Sequence, residues 1–448
     1  MAHLNINKDI LKLAVPSILA NITVPIVGMV DIAVAGHLTG EVATMIGGIA
    51  IGSMLFDLLY WNFGFLRVGT GGLAAQAYGR KDIKECSKIL TRAIGISLAF
   101  ALLLIAIQWI FVKAAFLVVD CTPQVRELAS EYFFIRIWAA PATLSLMAFK
   151  GWFIGMQDSV SPMVTDFVVN GMNVLMSIVL ALGTPMGFAG IAAGTVAAQY
   201  SGLLTALALL MVKYARKVFA DFSISDFKTV FTGSETRRFF VMNTDLFVRS
   251  LCFIAIYIGF TTISAGFGDL LLAVSSIMMK LLMIFSYFTD GFAFAGEALT
   301  GRYIGARDGV MLRQTVKWTF VWSMSIALIF MGIYHFAGVP MLRMMTSDPQ
   351  VVEASRAFLP WLLLMPPIGC AAFTWDGIYI GATASKAIRN SMLWAVAGFA
   401  AVWAVGISGL DLSASGAMHL LMAAYFAHLL ARTIYLSVRY GRDVLSVA

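Results

Sequence analysis

The sequence predicts an all-α integral membrane protein with about twelve transmembrane helices, arranged as two parallel six-helix repeats. Three observations predict this class. Hydrophobic residues make up 60% of the 448 residues and charged residues only 12%, whereas a soluble protein of this size has about a quarter of its residues charged. Apolar segments of membrane-spanning length recur along the whole chain, and two short motifs recur at one common offset.

The apolar segments are continuous, which indicates helices. A helix needs roughly 20 apolar residues to cross a bilayer, and the polar breaks leave room for about twelve such segments. A β-barrel is disfavoured because runs such as 94–111 show no apolar and polar alternation. The predicted spans are 10–35, 42–66, 90–116, 127–154, 160–182, 188–212, 238–265, 270–300, 315–338, 352–382, 388–409 and 414–438.

The distribution of basic residues predicts the orientation in the membrane. The net charge is +7, and Lys and Arg concentrate in the cytosolic loops of membrane proteins, so we expect no nucleic-acid partner. With the N-terminus inside, the opposite loops hold little beyond Arg126 and Arg343, and both termini are cytosolic. The cytosolic side then holds Arg80, Lys81, Lys84, Lys88, Lys213, Arg216, Lys217, Lys228, Arg237, Arg238, Arg307, Arg313, Lys317, Lys386 and Arg389.

The N-terminus and the cysteines do not indicate a secreted, zinc-binding or disulfide-bonded protein. Residues 1–17 lack the small-residue cleavage site of a signal peptide, so the first apolar run is interpreted as the first span. The four cysteines are far apart, without the spacing of a zinc site or a disulfide framework. We expect no metal and no cofactor.

Two motif pairs indicate an internal duplication. YGRKD at 78–82 matches IGARD at 304–308, and GWFIGMQ at 151–157 matches GIYIGAT at 377–383, both at an offset of 226 residues. Each copy holds about six spans, so the repeats are expected to be parallel. The polar stretch 213–238 is interpreted as the linker, which predicts an N-lobe over 1–220 and a C-lobe over 221–448. Two similar bundles favour a secondary transporter working by alternating access.

Charged residues inside the spans are the first place to look for function, since they are costly in a bilayer. Asp31 is the clearest, deep in the first span with no basic residue within helical reach. It is either a structurally paired carboxylate or, because burial disfavours its charged form, one that exchanges protons near neutral pH. Pro16 and Pro25 precede it and can kink the span. The others are Asp57, Arg67, Lys150, Asp166, Asp245, Arg249, Lys280, Asp290, Glu297 and Asp376.

The acids of the second half allow two interpretations. Asp245 and Arg249 lie one helical turn apart and are expected to satisfy each other. Asp290 and Glu297 lie on one face of the eighth span, where they can attract cations or be neutralised by Lys280 or Arg302. Asp376, whose repeat counterpart is Lys150, is either half of a structural pair or part of a substrate site. These three acids are the candidate substrate or secondary charge site.

The ordered set of motifs resembles the multidrug and toxic compound extrusion (MATE) family, in its DinF-type branch. The resemblance is carried by NITVPIVGMVDIAVAGHL (21–38), LAAQAYGRKD (73–82), IRIWAAPA (135–142), GFAFAGEALTGRYIGARDG (291–309) and WDGIYIGAT (375–383), so it covers nearly the whole chain. It implies twelve helices in two lobes and outward extrusion of mostly cationic or amphipathic compounds in exchange for H+ or Na+.

The resemblance also implies a cation-responsive site in the N-lobe. Asp31, Tyr132, Asn173 and Thr195 match the family's positions for an acid in the first helix, a Tyr in the fourth, an Asn in the fifth and a Thr in the sixth. Ser177 departs from the pattern, because it stands where a second carboxylate is expected.

Lys150 is a second departure, a base where the family has a neutral residue. Two changes towards positive charge make Na+ binding harder, so H+ is favoured over Na+ as the coupling ion. If Lys150 reaches Asp31, the pair can exchange protons or hold Asp31 ionised. Asp57 has no role in the pattern.

The preferred hypothesis is a secondary active efflux antiporter without enzymatic activity or catalytic residues. We expect a monomer in a bacterial plasma (inner) membrane, exporting small cationic or amphipathic molecules. The alternative is a flippase of related fold for a lipid-linked precursor or polysaccharide, which needs basic residues such as Arg67, Lys150, Arg249 and Lys280 in its cavity. The five histidines form no catalytic motif, and a channel fits the duplicated lobes less well.

Overall fold

A computed structural model describes residues 2–38, 41–117, 119, 121–218, 230–231, 234–409 and 412–447. These residues contain no β-strand. The α-helices are α1 (Ala2–Ile22), α2 (Val24–Gly36), α3 (Val42–Trp61), α4 (Phe65–Gly79), α5 (Ile83–Ala115), α6 (Pro123–Arg136), α7 (Ala140–Gly155), α8 (Val160–Leu182), α9 (Phe188–Val218), α10 (Ser234–Ala265), α11 (Asp269–Gly305), α12 (Gly309–Met345), α13 (Pro349–Arg356), α14 (Leu359–Gly381), α15 (Ser385–Gly409) and α16 (Ala414–Asp443).

The predicted membrane fold is confirmed. Within the described chain, 11 stretches of helix are long and apolar enough to cross a membrane, and α13 and α14 form a twelfth if this pair, bent by 57°, is one span. The spans are longer than predicted at several ends. The second, Val42–Gly79, continues through α4 well beyond residue 66, the predicted end.

The first span is interrupted where its prolines predicted a kink. Helix α1 contains Pro16 and ends at Ile22, and Pro25 lies in the first turn of α2. Proline tolerates the first turn of a helix because its missing N–H has no partner there, but its ring disfavours a continuous helix before it. Thr23, between the two helices, donates its hydroxyl to the carbonyl oxygen of Ala20 at 2.7 Å.

The chain divides into two compact units, Leu19–Phe239 and Met1–Ile18 with Phe240–Ala448. The first 18 residues thus cluster with the second half, whereas the sequence interpretation groups them with the N-lobe. The predicted lobe boundary at 220/221 and residues 219–229 and 232–233 of the predicted linker lie outside the described residues.

The internal duplication is confirmed by the backbone of the turns. Lys81 and Gln157, which follow α4 and α7, have φ of 60° and 63°, and Arg307 and Thr383, each 226 positions later, have φ of 57° and 54°. These are the non-glycine residues with positive φ in the described chain, and such residues are uncommon. Their recurrence at the offset of the sequence motifs shows that the two copies share their turn geometry.

The same offset relates the closest helix contacts. A β-carbon at Gly151 of α7 would lie 2.1 Å from the carbonyl oxygen of Arg67 in α4. A β-carbon at Gly377 of α14 would likewise lie 2.1 Å from the carbonyl oxygen of Ala293 in α11. Only glycine permits this approach of two backbones. The two units therefore share a closely apposed helix pair at equivalent positions, α4 with α7 and α11 with α14.

Candidate functional site

Asp31 lies on α2 within the first span and is 5% exposed. Its carboxylate accepts a hydrogen bond from the Ser177 hydroxyl at 3.3 Å. A buried carboxylate is unfavourable unless its oxygens are hydrogen-bonded or its charge is compensated. A single neutral hydroxyl donor leaves most of that requirement to its electrostatic surroundings.

Close packing of α9 on α8 positions Ser177. A β-carbon at Gly194 would lie 2.5 Å from the backbone nitrogen of Ser177, and one at Gly190 would lie 2.5 Å from the carbonyl carbon of Leu180. The two glycines are one turn apart, so the backbone of α9 rests directly against α8. The Ser177 side chain is held at this contact, on the face that meets Asp31.

Asn173 and Thr195 join the same polar group. Asn173 precedes Ser177 by one turn of α8, and its Nδ2 donates to the Thr195 hydroxyl of α9 at 2.9 Å. Both side chains are buried. The Oδ1 atom of Asn173 is buried without a hydrogen-bond partner among the described residues, and such an acceptor is costly in a membrane.

Arg136 is a functional candidate that the sequence interpretation missed. It ends α6, donates from Nη1 to the Tyr132 phenolic oxygen at 3.1 Å, and stacks over the Phe56 ring with Cζ 4.7 Å from the centroid. It interacts electrostatically with the carboxylates of Asp31 and Asp57. The signal was present, since Arg136 lies inside the predicted span 127–154 one turn after Tyr132.

Glycines of α3 position Tyr132. A β-carbon at Gly52 would lie 2.6 Å from Cδ1 of Tyr132, and one at Gly48 would lie 2.8 Å from Cβ of Leu128. Tyr132 is completely buried. Its ring therefore fills the contact between α3 and α6, and its hydroxyl fixes the guanidinium of Arg136.

The structure thus places the predicted residues in one polar group made of two hydrogen-bonded pairs, Asp31 with Ser177 and Asn173 with Thr195, one turn apart on α8. It links Tyr132 to that group through Arg136, and we call the six residues the Asp31 cluster. About one turn before Asn173 on α8, Asn170 donates to the Thr23 hydroxyl at 2.5 Å, at the break between α1 and α2.

Lys150 is not part of the Asp31 cluster. Its Nζ lies 2.6 Å from Oδ2 of Asp166, and both side chains are about a quarter exposed. The pairing of Lys150 with Asp31, left open by the sequence, is therefore not the one seen in this structure. Asp166, 16 residues further along the chain on the neighbouring helix, neutralises the charge of the lysine.

The acids of the other unit are held by arginines from other helices. Asp376 of α14 bonds to Arg249 of α10 at 2.7 Å and to Arg432 of α16. Asp245 bonds to Arg389 at 2.6 Å and to the Ser385 hydroxyl at 2.7 Å. The predicted pairing of Asp245 with Arg249 is therefore wrong, because both side chains reach across to neighbouring helices.

Asp290 and Glu297 lie on α11 as predicted. Glu297 is completely buried and Asp290 partly buried. Arg302 lies 3.9 Å from Asp9, and Lys280 is exposed. Among the described residues, no group of three or more His, Cys, Asp or Glu side chains has an arrangement that can hold a metal ion.

Comparison with known proteins identifies the family. The MatE family model matches residues 16–179 and 246–405. The chain is 35% identical over 394 residues to DNA damage-inducible protein F of Escherichia coli, covering 88% of this chain and 84% of the relative. It is 26% identical over 358 residues to "Probable multidrug resistance protein NorM" of Photorhabdus laumondii, covering 77% of this chain and 75% of the relative.

Solved structures share the fold. A crystal structure of MATE in a bent conformation matches with a TM-score of 0.86 at 14% identity, covering 100% of this chain and 99% of that chain. A MOP superfamily transporter from Pyrococcus furiosus matches with a TM-score of 0.81 at 17% identity, covering 98% and 96%. With the family model matching segments of both repeats and the E. coli relative matching most of the chain, this protein belongs to the MATE family, in its DinF-type branch.

Proposed function

We propose that this protein is a multidrug efflux antiporter that exports cationic or amphipathic compounds in exchange for H+. The single observation that carries the proposal is the buried Asp31, which has a hydroxyl and a nearby guanidinium but no direct salt bridge within the described residues. The names of its relatives, one of them a multidrug resistance protein, support the substrate class.

The charges around Asp31 favour the uptake of one cation. Arg136 carries one positive charge and interacts with two carboxylates, Asp31 and Asp57. One proton on this set neutralises it, which is favourable in a medium of low dielectric constant. Protonation also turns Asp31 into a hydrogen-bond donor, and Oδ1 of Asn173, one turn from Ser177 on α8, is a buried acceptor without a partner among the described residues.

The same surroundings favour H+ over Na+. Ser177 contributes a neutral hydroxyl where a second carboxylate would compensate a metal ion, and Arg136 adds a positive charge to the neighbourhood. A proton needs one basic oxygen, whereas a hard metal cation needs several oxygen ligands around it.

Coupling is assigned to the unit that contains Asp31. In the other unit, Asp376 is bonded to two arginines and Asp245 to one, so neither is available as an exposed negative charge for a cationic substrate. Asp290 and Glu297 of α11 are the acids that the sequence proposes for substrate binding there. Alternating access then requires that proton and substrate favour different conformations.

The flippase alternative receives less support. Recognition of a phosphate-linked lipid inside the membrane needs basic side chains that are not already neutralised. Lys150 is paired with Asp166 and Arg249 with Asp376, which removes two of the four bases on which that alternative depended.

We further propose that the protein lies in a bacterial inner membrane as a monomer, with both termini in the cytosol. The excess of Lys and Arg on one set of loops supports this orientation.

The test is transport of a fluorescent organic cation by proteoliposomes under separately imposed H+ and Na+ gradients. We expect wild-type transport with the H+ gradient, little with the Na+ gradient, and loss of H+-driven transport in Asp31→Asn. Asp269→Asn, which removes an exposed carboxylate at the start of α11, is the control and should transport normally. Full H+-driven transport by Asp31→Asn would show that Asp31 is not the coupling group.

A further inference from the structure

A basic pocket of about 440 Å³ lies at one end of the unit that contains Phe240–Ala448, here called the C-terminal unit. It is formed by the turn between α14 and α15, the first turn of α15 and the last turns of α16. The charged side chains lining it are Lys386, Arg389, Arg439, Arg442 and Asp443. Four cations face one carboxylate, so the pocket as a whole is strongly positive.

Two of the four cations are available for a ligand. Arg389 is bonded to Asp245, and Arg439 to Asp443 through two hydrogen bonds of 2.7 and 3.1 Å. Lys386 and Arg442 are exposed, and neither side chain has an ion pair within the described residues. They add positive charge that no acid of the described chain neutralises.

The repeat-related place in the other unit is filled by a carboxylate. Asp158 follows α7, and its Oδ1 accepts from the backbone N–H of Ser161 at 3.0 Å. Its Oδ2 accepts from the Ser161 hydroxyl at 2.6 Å, from Nζ of Lys213 at 3.0 Å and from the Tyr214 hydroxyl at 3.0 Å. The anion is thus bound by the start of α8 and by a cation and a tyrosine near the end of α9.

The pocket repeats the frame of this site without its carboxylate. The backbone N–H of Asp158 donates to Phe153 at 2.9 Å, and that of Ala384 donates to Tyr379 at 3.0 Å, 226 positions later in both donor and acceptor. Arg439 and Tyr440 likewise correspond to Lys213 and Tyr214. The turn and the cation are kept in the second copy, where Arg439 binds Asp443, and the acid of the turn is replaced by an alanine.

We propose that this pocket binds a phosphate group, in the place that the Asp158 carboxylate takes in the other repeat, and that the phosphate belongs to the headgroup of an anionic phospholipid. The first turn of α15 offers backbone N–H groups, which favour oxyanions, and Lys386 and Arg442 supply the positive charge. With the orientation proposed above, these helix ends lie on the cytosolic side, where clusters of basic residues attract anionic lipid headgroups.

The test uses the full-length protein purified in detergent. Thermal unfolding is followed with added phosphatidylglycerol, with phosphatidylcholine, and with inorganic phosphate alone. The variants are Lys386→Gln with Arg442→Gln, which removes both available cations, and Ala384→Asp, which rebuilds the internal carboxylate. Arg80→Gln, which removes one exposed cation of the other unit, is the control for loss of positive charge outside the pocket.

The expected result is stabilisation of wild-type protein and of Arg80→Gln by phosphatidylglycerol but not by phosphatidylcholine. The double variant should need roughly 25-fold more phosphatidylglycerol, at about fivefold for each cation. Ala384→Asp should be more stable without lipid and respond less to it. Equal responses of the double variant and the control would overturn the proposal, and full stabilisation by inorganic phosphate alone would overturn the assignment to a lipid. Neither outcome depends on transport, so failure here is distinct from failure of the proposed function.

Discussion

At the scale of single residues, the charge balance around Asp31 depends on Arg136. The guanidinium is fixed by Tyr132 and stacks over Phe56, so it cannot follow a moving carboxylate. A fixed positive charge favours the ionised form of an acid near it. The arginine therefore opposes proton uptake by Asp31, and under the proposed H+ coupling its charge sets the pH range of transport.

Replacement of Arg136 should shift that range. In Arg136→Met the positive charge is lost, so protons bind the Asp31 cluster more readily and the pH of half-maximal H+-driven transport should rise by about one unit. Arg136→Lys keeps the charge and should lie close to wild type. Transport rates in proteoliposomes between pH 5 and 9 provide the measurement, and an unchanged profile in Arg136→Met would contradict this electrostatic role.

The sequence predicted the members of the Asp31 cluster better than their pairing. Asp31, Ser177, Asn173 and Thr195 were identified and lie in two neighbouring hydrogen-bonded pairs, because their motif positions lie on helices that the fold packs together. Arg136 was missed although it lies inside a predicted span, as Asp31 does. Long side chains such as those of Lys150 and Arg249 reach partners on other helices. The choice of partner depends on how the helices pack, which cannot be read from the spacing of residues along the chain.

Asp158 gives a pH-dependent contribution to stability. Burial alone would raise the pKa of this carboxyl, but hydrogen bonds from Ser161 and Lys213 and the charge of Lys213 hold the pKa below its ordinary value of 3.8. The stabilisation is therefore complete above about pH 4 and is lost as the pH falls through the lower value of the folded protein.

Asp158→Asn should accordingly cost about 1 to 3 kcal/mol of unfolding free energy at pH 7, the range for hydrogen bonds to a charged group. The difference from wild type should shrink as the pH falls below about 4. Unfolding of both proteins in detergent from pH 3 to pH 7 checks this, with Asp269→Asn as the exposed control. A constant difference at all pH values would indicate lost packing instead of lost charge.

At the scale of helices, glycine determines which pairs pack most closely. Gly151 and Gly377 occupy equivalent positions, and each allows its helix to touch a carbonyl oxygen of its partner. A backbone contact cannot relax by a rotamer change, so an added methyl group must push the helices apart.

Gly151→Ala and Gly377→Ala should each destabilise the protein by about 1 to 3 kcal/mol, seen as a lower unfolding temperature in detergent. Gly171→Ala and Gly332→Ala are the matched controls in the same units, since a β-carbon there has no atom within 4 Å. They should be neutral or stabilising by up to about 1 kcal/mol, as alanine favours helix more than glycine does. Equal effects at all four positions would mean that close approach is not the cause.

The spans themselves were predictable because hydropathy alone decides them. Breaks within the spans were harder to predict from the sequence. Pro25 predicted the interruption after Ile22, but no proline lies in the break between α3 and α4 at 62–64, and this second span continues to Gly79. Where a long helix bends or ends inside protein is decided by neighbours, and apolar periodicity does not report them.

At the scale of the whole molecule, the two repeats keep their backbone and differ in their charges. The turns with positive φ and the glycine contacts recur at one offset. Asp158 has become Ala384, Lys150 has become Asp376, and the counterpart of Glu297 is Gly71. A shared frame with unlike charged residues allows one unit to bind protons and the other to bind different ligands, since backbone packing and polar chemistry are set by separate positions.

The last prediction concerns orientation, which the charge distribution implies for the whole chain. Cys86, Cys121, Cys252 and Cys370 are first replaced, and single cysteines are then introduced as Met186→Cys and Lys386→Cys, both at exposed positions. Because the loop 183–187 lacks basic residues and 386–389 contains two, an impermeant maleimide should label Met186→Cys in intact cells and Lys386→Cys only after permeabilisation. The opposite pattern would place the termini outside, and the basic pocket of the C-terminal unit would then face away from the cytosolic leaflet and its anionic lipids.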